Sequence, residues 1–169
     1  PFQQSNFDAV DLVEVVEHTE NQPQLIREIA RVLRPGGRVL ISTPNILNVV
    51  SRLRFLFTGF LRGRVQPAHY TSKPGQAPNI YLLHFYELYY LLFHYGFEIE
   101  KLRWTRVRFA ARFFTYLFWP LIIGAEKDPV QRRYNWQILG YLFDPVLLMF
   151  DNIVVIARKL AAGEDRPGS

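Results

Sequence analysis

Three side chains with acid–base and metal-binding chemistry follow the first apolar segment of the chain. Residues 7–13 form a short apolar run interrupted by aspartates, and Glu14, Glu17 and His18 come directly after it. Two carboxylates and an imidazole can bind a divalent cation, although Mg²⁺ prefers oxygen ligands and bound waters. Alternatively, His18 can act as a general base toward a substrate hydroxyl, because imidazole exchanges protons near neutral pH. The third interpretation is structural: Glu17 and His18 cap the turn and stabilise the next helix.

The elements that position these residues alternate between extended and helical patterns. The predicted strands cover 7–13, 38–43, 97–104 and 151–158, and the predicted helices cover 21–33, 46–61 and 85–95. This alternation predicts an α/β fold with a parallel sheet. Parallel strands present ligands at their carboxyl ends, so Asn45, directly after the second strand, is a further candidate.

Glycine and proline mark where these elements stop. Pro35-Gly36-Gly37 is expected to end the first helix, and Gly96 to cap the third. Residues 62–80 are rich in both residue types and predict a loop or lid. Residues 159–169 predict a disordered tail.

The charges of the chain are distributed unevenly. The net charge is +5, and no acidic residue lies between Glu28 and Glu87, a stretch that holds several arginines. Such basic stretches attract the phosphates of anionic lipid, a phosphorylated substrate or nucleic acid; the alternative is that the arginines only solvate exposed helix faces. Nucleic acid is the least favoured partner, because no recognised binding motif accompanies the charge. The chain has no cysteine, which excludes disulfides and thiolate nucleophiles and fits a cytoplasmic location.

Four motifs occur in order between residues 7 and 45: FD at 7–8, EVVEH at 14–18, REIARVLRPGG at 27–37 and STPN at 42–45. Together they resemble the fourth strand, following helix and fifth strand of class I S-adenosylmethionine-dependent methyltransferases. They are most similar to the branch that contains the ubiquinone-biosynthesis O-methyltransferases. Farther along, HFYEL at 84–88 and GFE at 96–98 resemble the family's helix before strand six.

The resemblance implies a Rossmann-like, seven-stranded sheet of which this chain holds the C-terminal half. Strands four to seven would be present, with strand seven antiparallel between strands five and six. The family's Gly-x-Gly-x-Gly turn and the acidic residue that binds the ribose do not occur in the sequence. We therefore expect a partial domain, residues 1–158, that lacks the N-terminal cofactor-binding motif and binds the cofactor poorly by itself.

The resemblance also implies roles for individual residues. Val13 and Glu14 would contact S-adenosylmethionine, Val13 mainly through its backbone. Glu17 and His18 become candidate catalytic residues, and Glu14, Glu17 and His18 match positions that are associated with magnesium in the ubiquinone-biosynthesis enzymes. His84 stands where the family usually has a Ser or Thr helix cap, so it is expected either to cap the helix or to contact the substrate, as Asn45 would. The implied activity is methyl transfer to a small or lipid-like acceptor, at a hydroxyl.

An apolar insertion, residues 105–150, replaces the tight hairpin that usually joins the family's last two strands. Its two apolar segments, 113–123 and 138–150, are too short or too interrupted to span a bilayer. Nearby arginines and tryptophans favour peripheral contact with an anionic membrane; a packed helical pair or a dimer surface is the alternative. A non-catalytic module that binds membrane or a partner chain is therefore the competing function.

Overall fold

The computed structural model describes residues 2–59, 83–105, 141, 144–161 and 163–164. The chain divides into two compact units: the first comprises Pro1–Pro44, Ser72–Arg103 and Val154–Ser169, and the second comprises Asn45–Thr71 and Trp104–Ile153. The predicted lid at 62–80 and most of the predicted insertion at 105–150 lie outside the described residues. Glu14, Glu17, His18 and His84 lie in the first unit, and Asn45 lies in the second.

Within the described residues, the sheet contains four strands. They are β1 (Phe7–Val13), β2 (Leu33–Pro44), β3 (Phe97–Trp104) and β4 (Asn152–Lys159), and their order across the sheet is β1-β2-β4-β3. β1 and β2 are parallel, with Val13 opposite Ser42 at their carboxyl ends. The last strand in chain order thus lies between two earlier ones.

The direction of β4 follows from the contacts at its carboxyl end. The Lys159 ammonium, at the last residue of β4, donates to the carbonyl of Leu33, the first residue of β2, at 2.7 Å. The Leu160 N–H, directly after β4, donates to the Gly96 carbonyl, directly before β3, at 2.9 Å. β4 is therefore antiparallel to both neighbours, and the sheet is mixed.

The predicted strands 7–13 and 97–104 are confirmed with the same bounds, and β4 is shifted by one residue from 151–158. From Asn152 to Arg158, β4 alternates between buried and half-exposed positions, as expected of a strand whose side chains point to opposite faces. The strand includes Lys159, the first residue of the segment predicted to be disordered. The core of the first unit combines side chains of the sheet with side chains of residues 22–32 and 85–94, and burying each large apolar side chain contributes about 1.5–3 kcal/mol. The core side chains with almost no exposure include Ile26, Val39, Ile41, Leu88, Leu92 and Val155.

β2 begins five residues earlier than predicted, at Leu33 instead of Arg38. Phe7 pairs with Leu33 and Ala9 pairs with Arg38, so residues 34–37 lie opposite the single residue Asp8. Gly36 has a φ of +78°, and a Cβ on Gly37 would lie 2.9 Å from the Arg34 carbonyl oxygen. The Pro-Gly-Gly segment was expected only to end the helix, but its glycines also permit this irregular pairing.

The helix α1 (Gln22–Val32) agrees with the predicted segment to within one residue. The Asn21 side chain accepts the Gln24 N–H at 3.0 Å and caps the helix start. At the other end, the Lys159 ammonium also donates to the Ala30 carbonyl at 2.6 Å. Lys159 thereby satisfies carbonyls that the helix end leaves without intrahelical partners, and burial lowers the pKa of its ammonium.

The other helices begin at polar caps. In the first unit, α3 (Phe85–His94) packs against α1 and ends one residue before the predicted Tyr95. In the second unit, α2 (Val49–Thr58) begins three residues later than predicted because Asn48 accepts the Ser51 N–H at 2.8 Å. The short helix α4 (Pro145–Met149) lies within the predicted insertion. In the described ranges, no helix has both the length and the apolarity needed to cross a bilayer.

A group of alternating charges, which we call the charge ladder, crosses β2, β4 and β3. It consists of Arg38, Glu98, Glu100, Arg158 and Glu164. Arg38 Nε lies 2.8 Å from Glu100 Oε2, and Arg158 Nη2 lies 2.9 Å from Glu98 Oε2 and 2.8 Å from Glu164 Oε1. Every carboxylate of the ladder therefore has a guanidinium partner.

Candidate functional site

The carboxyl ends of β1 and β2 form the candidate site. The pairing of Val13 with Ser42 continues one step beyond β1, because the Glu14 N–H donates to the Ser42 carbonyl at 3.0 Å. The Val13 side chain is 62% exposed although it belongs to a parallel strand, and Val15 is 40% exposed. The edge therefore presents apolar side chains on both sides of Glu14.

Glu14 turns the chain out of the strand through a left-handed backbone conformation. Its φ is +54°, which costs about 1–2 kcal/mol for a residue with a side chain. A 3₁₀ turn over Val16–His18 follows, and the Thr19 hydroxyl donates to the Val15 carbonyl at 3.1 Å. Two residues that are three positions apart in the chain, Glu14 and Glu17, are thereby brought together.

We call Glu14 and Glu17 the carboxyl pair. Their side chains lie close enough for the charge of Glu14 and a hydrogen bond with it to raise the pKa of Glu17. The Ser42 hydroxyl donates to Glu14 Oε1 at 3.0 Å, and the Thr43 hydroxyl donates to Glu17 Oε2 at 3.3 Å. Glu17 is only 4% exposed. A buried carboxyl held by hydroxyls beside a second carboxyl is an arrangement that can retain or release a proton.

The environment of Glu17 favours its protonated form. Burial raises the pKa of this carboxyl above its ordinary value, and the charge of Glu14 and the hydrogen bond with it raise the pKa further. The backbone N–H of Glu17 and the charge of His18 act in the opposite direction. A shifted pKa of this kind is characteristic of groups that exchange protons during a reaction.

His18 is half-buried at the end of the 3₁₀ turn and lies close enough to Glu17 to influence its charge. The structure thus brings together the three residues that the sequence singled out after β1. In the part of the chain that the structure describes, no three His, Asp or Glu side chains form a group that could hold a metal ion. The geometry therefore gives no support to the magnesium prediction.

The two other candidates have structural contacts. The Asn45 amide is buried and donates to the carbonyls of Leu147 and Phe150 at 2.8 Å each, while its oxygen accepts the Leu47 N–H at 2.9 Å. Asn45 therefore organises the second unit, and its role as a substrate contact stays a prediction.

His84 caps α3. The His84 Nδ1 accepts the backbone N–H of Glu87, and the backbone N–H of His84 donates to Glu87 Oε2, each at 3.2 Å. The prediction that imidazole replaces the usual Ser or Thr cap is confirmed, and these contacts form a reciprocal capping box.

Sequence reasoning missed two residues of the site, Ser42 and Thr43. Both side chains are buried, and both hydroxyls donate to the carboxyl pair. The available signal was a pair of hydroxyl residues near the carboxyl end of a strand expected to be parallel to β1. Strand pairing was needed to show which carboxyl each hydroxyl contacts.

Comparison with known proteins first defines a class. Residues 1–41 match a family model described as a methyltransferase domain. The matched segment contains Val13, Glu14, Glu17 and His18, and it ends one residue before Ser42. The resemblance to S-adenosylmethionine-dependent methyltransferases is thereby confirmed for this part of the chain.

Individual relatives agree with this class. A protein of Mycolicibacterium smegmatis, named as a probable S-adenosylmethionine-dependent methyltransferase, is 47% identical over 45 residues, which are 27% of this chain and 18% of the relative. A ubiquinone biosynthesis O-methyltransferase of Rickettsia canadensis is 31% identical over 97 residues, which are 57% of this chain and 38% of the relative. The chain thus covers less than two-fifths of the length of either protein.

A similar fold occurs in a solved structure. A crystal structure of a SAM-dependent methyltransferase from Thermotoga maritima matches with a TM-score of 0.52 at 12% identity, covering 94% of this chain and 58% of that one. At this identity the likeness concerns the fold alone. The chain has an α/β, methyltransferase-like fold with a mixed sheet.

Proposed function

We propose that the protein transfers a methyl group from S-adenosylmethionine to a hydroxyl of a small or lipid-like acceptor. The observation that carries this proposal is the carboxyl pair with His18 at the carboxyl edge of a parallel strand, inside the segment that matches a methyltransferase domain. The ubiquinone biosynthesis O-methyltransferase among the relatives supports a hydroxyl acceptor.

The four strands correspond, in this proposal, to strands four to seven of a seven-stranded sheet. Within the described residues, β1 has a neighbouring strand on one side only. Three alternate residues of β1, Ala9, Asp11 and Val13, are exposed, whereas parallel strands are normally buried inside their sheet. The free edge of β1 is therefore the place where further strands would pair, as the partial coverage of the relatives also suggests.

Val13 and Glu14 are the residues that would hold the cofactor. Exposed valines beside a carboxylate suit a ligand that combines apolar surface with the positive charge of a sulfonium. An activated methyl group is what S-adenosylmethionine supplies when bound. The protein's own task is then to align the acceptor and to exclude water.

Glu17 and His18 would, in this proposal, take up the proton that an acceptor hydroxyl loses on methylation. Because burial and the Glu14 charge raise the pKa of Glu17, this carboxylate binds a proton more tightly than an exposed glutamate does. General-base assistance of this kind contributes about 10²–10⁴-fold to a rate. The base would therefore matter most for an acceptor hydroxyl that arrives protonated.

The test is calorimetric titration of S-adenosylhomocysteine into the protein in its longest natural form and, in parallel, into this 169-residue chain. We expect binding to the longer form and weak binding to the 169-residue chain, because the glycine turn of the family does not occur in this sequence. If neither form binds, the methyltransferase proposal is wrong and the non-catalytic binding module becomes the better hypothesis. Peripheral membrane contact through 105–150 stays a prediction, since most of that segment lies outside the described residues.

A further inference from the structure

We infer that Ser42 and Thr43 are positioning residues, whose two hydroxyls hold Glu14 and Glu17 in one hydrogen-bonded unit and orient Glu17 toward the acceptor. The role in orienting a proton acceptor rests on the proposed function. The hydrogen-bonded unit itself can be tested without any methyl transfer.

The first support is the division of the contacts. Each hydroxyl donates to a different carboxyl, Ser42 to Glu14 and Thr43 to Glu17. Successive side chains of a strand point to opposite faces, so the end of β2 contacts the carboxyl pair through side chains that leave the strand in different directions. Two donors placed in this way restrict the orientations of both carboxyl groups.

The second support is the way the backbone fixes these donors. Val13 pairs with Ser42, and the Glu14 N–H donates to the Ser42 carbonyl at 3.0 Å. Ser42 is 5% exposed and Thr43 is 2% exposed, so neither hydroxyl can exchange its carboxylate for bulk water. The separation between hydroxyls and carboxyls is therefore set by strand pairing.

The third support is chemical. Glu17 is 4% exposed, and a buried carboxylate oxygen without a hydrogen-bond donor is costly. The Thr43 hydroxyl, 3.3 Å from Glu17 Oε2, supplies such a donor from the neighbouring strand. Loss of this hydroxyl should leave the Glu17 side chain less well oriented.

The experiment compares Thr43→Val, which removes the hydroxyl at nearly constant volume, with Thr43→Ser, which keeps it. In the longest natural form of the protein, ¹³C NMR records the chemical shift of the Glu17 carboxyl carbon at one fixed pH. We expect this signal to move in Thr43→Val, which loses the hydrogen bond to Glu17 Oε2, and to stay close to its original position in Thr43→Ser. In methylation assays, kcat should fall about tenfold in Thr43→Val and recover in Thr43→Ser, with the Kd for S-adenosylhomocysteine unchanged, because a lost hydrogen bond to a charged group corresponds to roughly a factor of ten.

The outcomes separate the two proposals. If the Glu17 carboxyl signal is identical in all three proteins, the positioning inference is overturned, whatever the protein catalyses. If the signal moves as expected but S-adenosylhomocysteine does not bind the unchanged protein, the hydrogen-bonded unit is supported and the methyltransferase proposal fails. Should Thr43→Val not fold, Ser42→Ala with Ser42→Thr as its control provides the same test, read on the Glu14 carboxyl.

Discussion

The carboxyl pair and the charge ladder both contact β2, and they shift the pKa values of their carboxyl groups in opposite directions. In the middle of the strand, Arg38 faces Glu100, and its hydrogen bond is the main reason that the pKa of Glu100 is lowered. At the end of the strand, Glu17 faces Glu14 in a buried position, and its pKa is raised. The ladder thus stabilises the charged form of Glu100, whereas the surroundings of Glu17 destabilise its charged form.

This difference indicates what each region contributes. Partly exposed ion pairs such as those of the ladder add little to stability, but they also cost little. A buried carboxyl beside a second carboxyl, whose own residue has a left-handed backbone, costs stability, and the retention of this arrangement requires another explanation. The carboxyl pair is therefore the better candidate for function, and the ladder is the natural control region.

The largest expected difference between the two regions concerns turnover. Glu17→Gln removes the proposed proton acceptor while preserving shape, so we expect kcat to fall about 100-fold or more. Glu98→Gln, in the ladder, should leave kcat within about a factor of two, as is usual for a surface change with a small energetic effect. Steady-state assays at saturating S-adenosylmethionine make the comparison; equal losses in both variants would remove the functional distinction between the regions.

A smaller effect is expected at Gly36 and Gly37, the two glycines of β2 that precede Arg38. In Gly37→Ala the new methyl group would lie 2.9 Å from the Arg34 carbonyl oxygen and 3.1 Å from that of Asp8, and overpacking of this kind costs about 1–3 kcal/mol. Gly36→Ala meets no atom within 4 Å, but its φ of +78° adds conformational strain of about 1–2 kcal/mol. Urea unfolding measures both variants, and a Gly37→Ala protein as stable as the unchanged one would show that the pairing of β1 with β2 can shift.

The smallest expected effect is the pH dependence of stability, which should have opposite signs in the two regions. The folded-state pKa of Glu17 is raised, so its contribution to stability declines as the pH rises from its unfolded value of 4.5 through the folded value. The folded-state pKa of Glu100 is lowered, so its contribution is present above 4.5 and is lost as the pH falls through the folded value.

Urea unfolding of Glu17→Gln and Glu100→Gln from acidic to neutral pH checks these signs. Relative to the unchanged protein, Glu17→Gln should gain stability toward neutral pH, because a buried charge is removed. Glu100→Gln should lose a small amount of stability under the same conditions. A parallel pH dependence in the two variants would contradict the contrast between the regions.

Much of the first unit could be predicted from the sequence because its signals are local. The apolar run at 7–13 and the alternation at 97–104 gave strand bounds that the structure confirms, and the helical spacing over 21–33 located α1 to within one residue. The proximity of Glu17 and His18 followed from their neighbouring positions. These strands and helices could therefore be predicted from local composition and residue spacing.

The remaining features depend on contacts between distant segments. The early start of β2 at Leu33 arises from pairing with Phe7, and the contacts of Ser42 and Thr43 arise from pairing with the end of β1. The left-handed backbone of Glu14 could not be predicted, because glutamate rarely adopts that conformation. Asn45 looked like a substrate contact from its position, but the acceptors of its amide, Leu147 and Phe150, lie more than a hundred residues away.

The central position of β4 has a consequence for how the chain folds during synthesis. Lys159 contacts Leu33 across 126 positions of sequence, and contacts of such long range slow folding. Until β4 leaves the ribosome, β2 and β3 lack the strand that separates and pairs with both of them. Unpaired strand edges favour association with other chains, so the nascent protein passes through an aggregation-prone interval that closes only when β4 inserts.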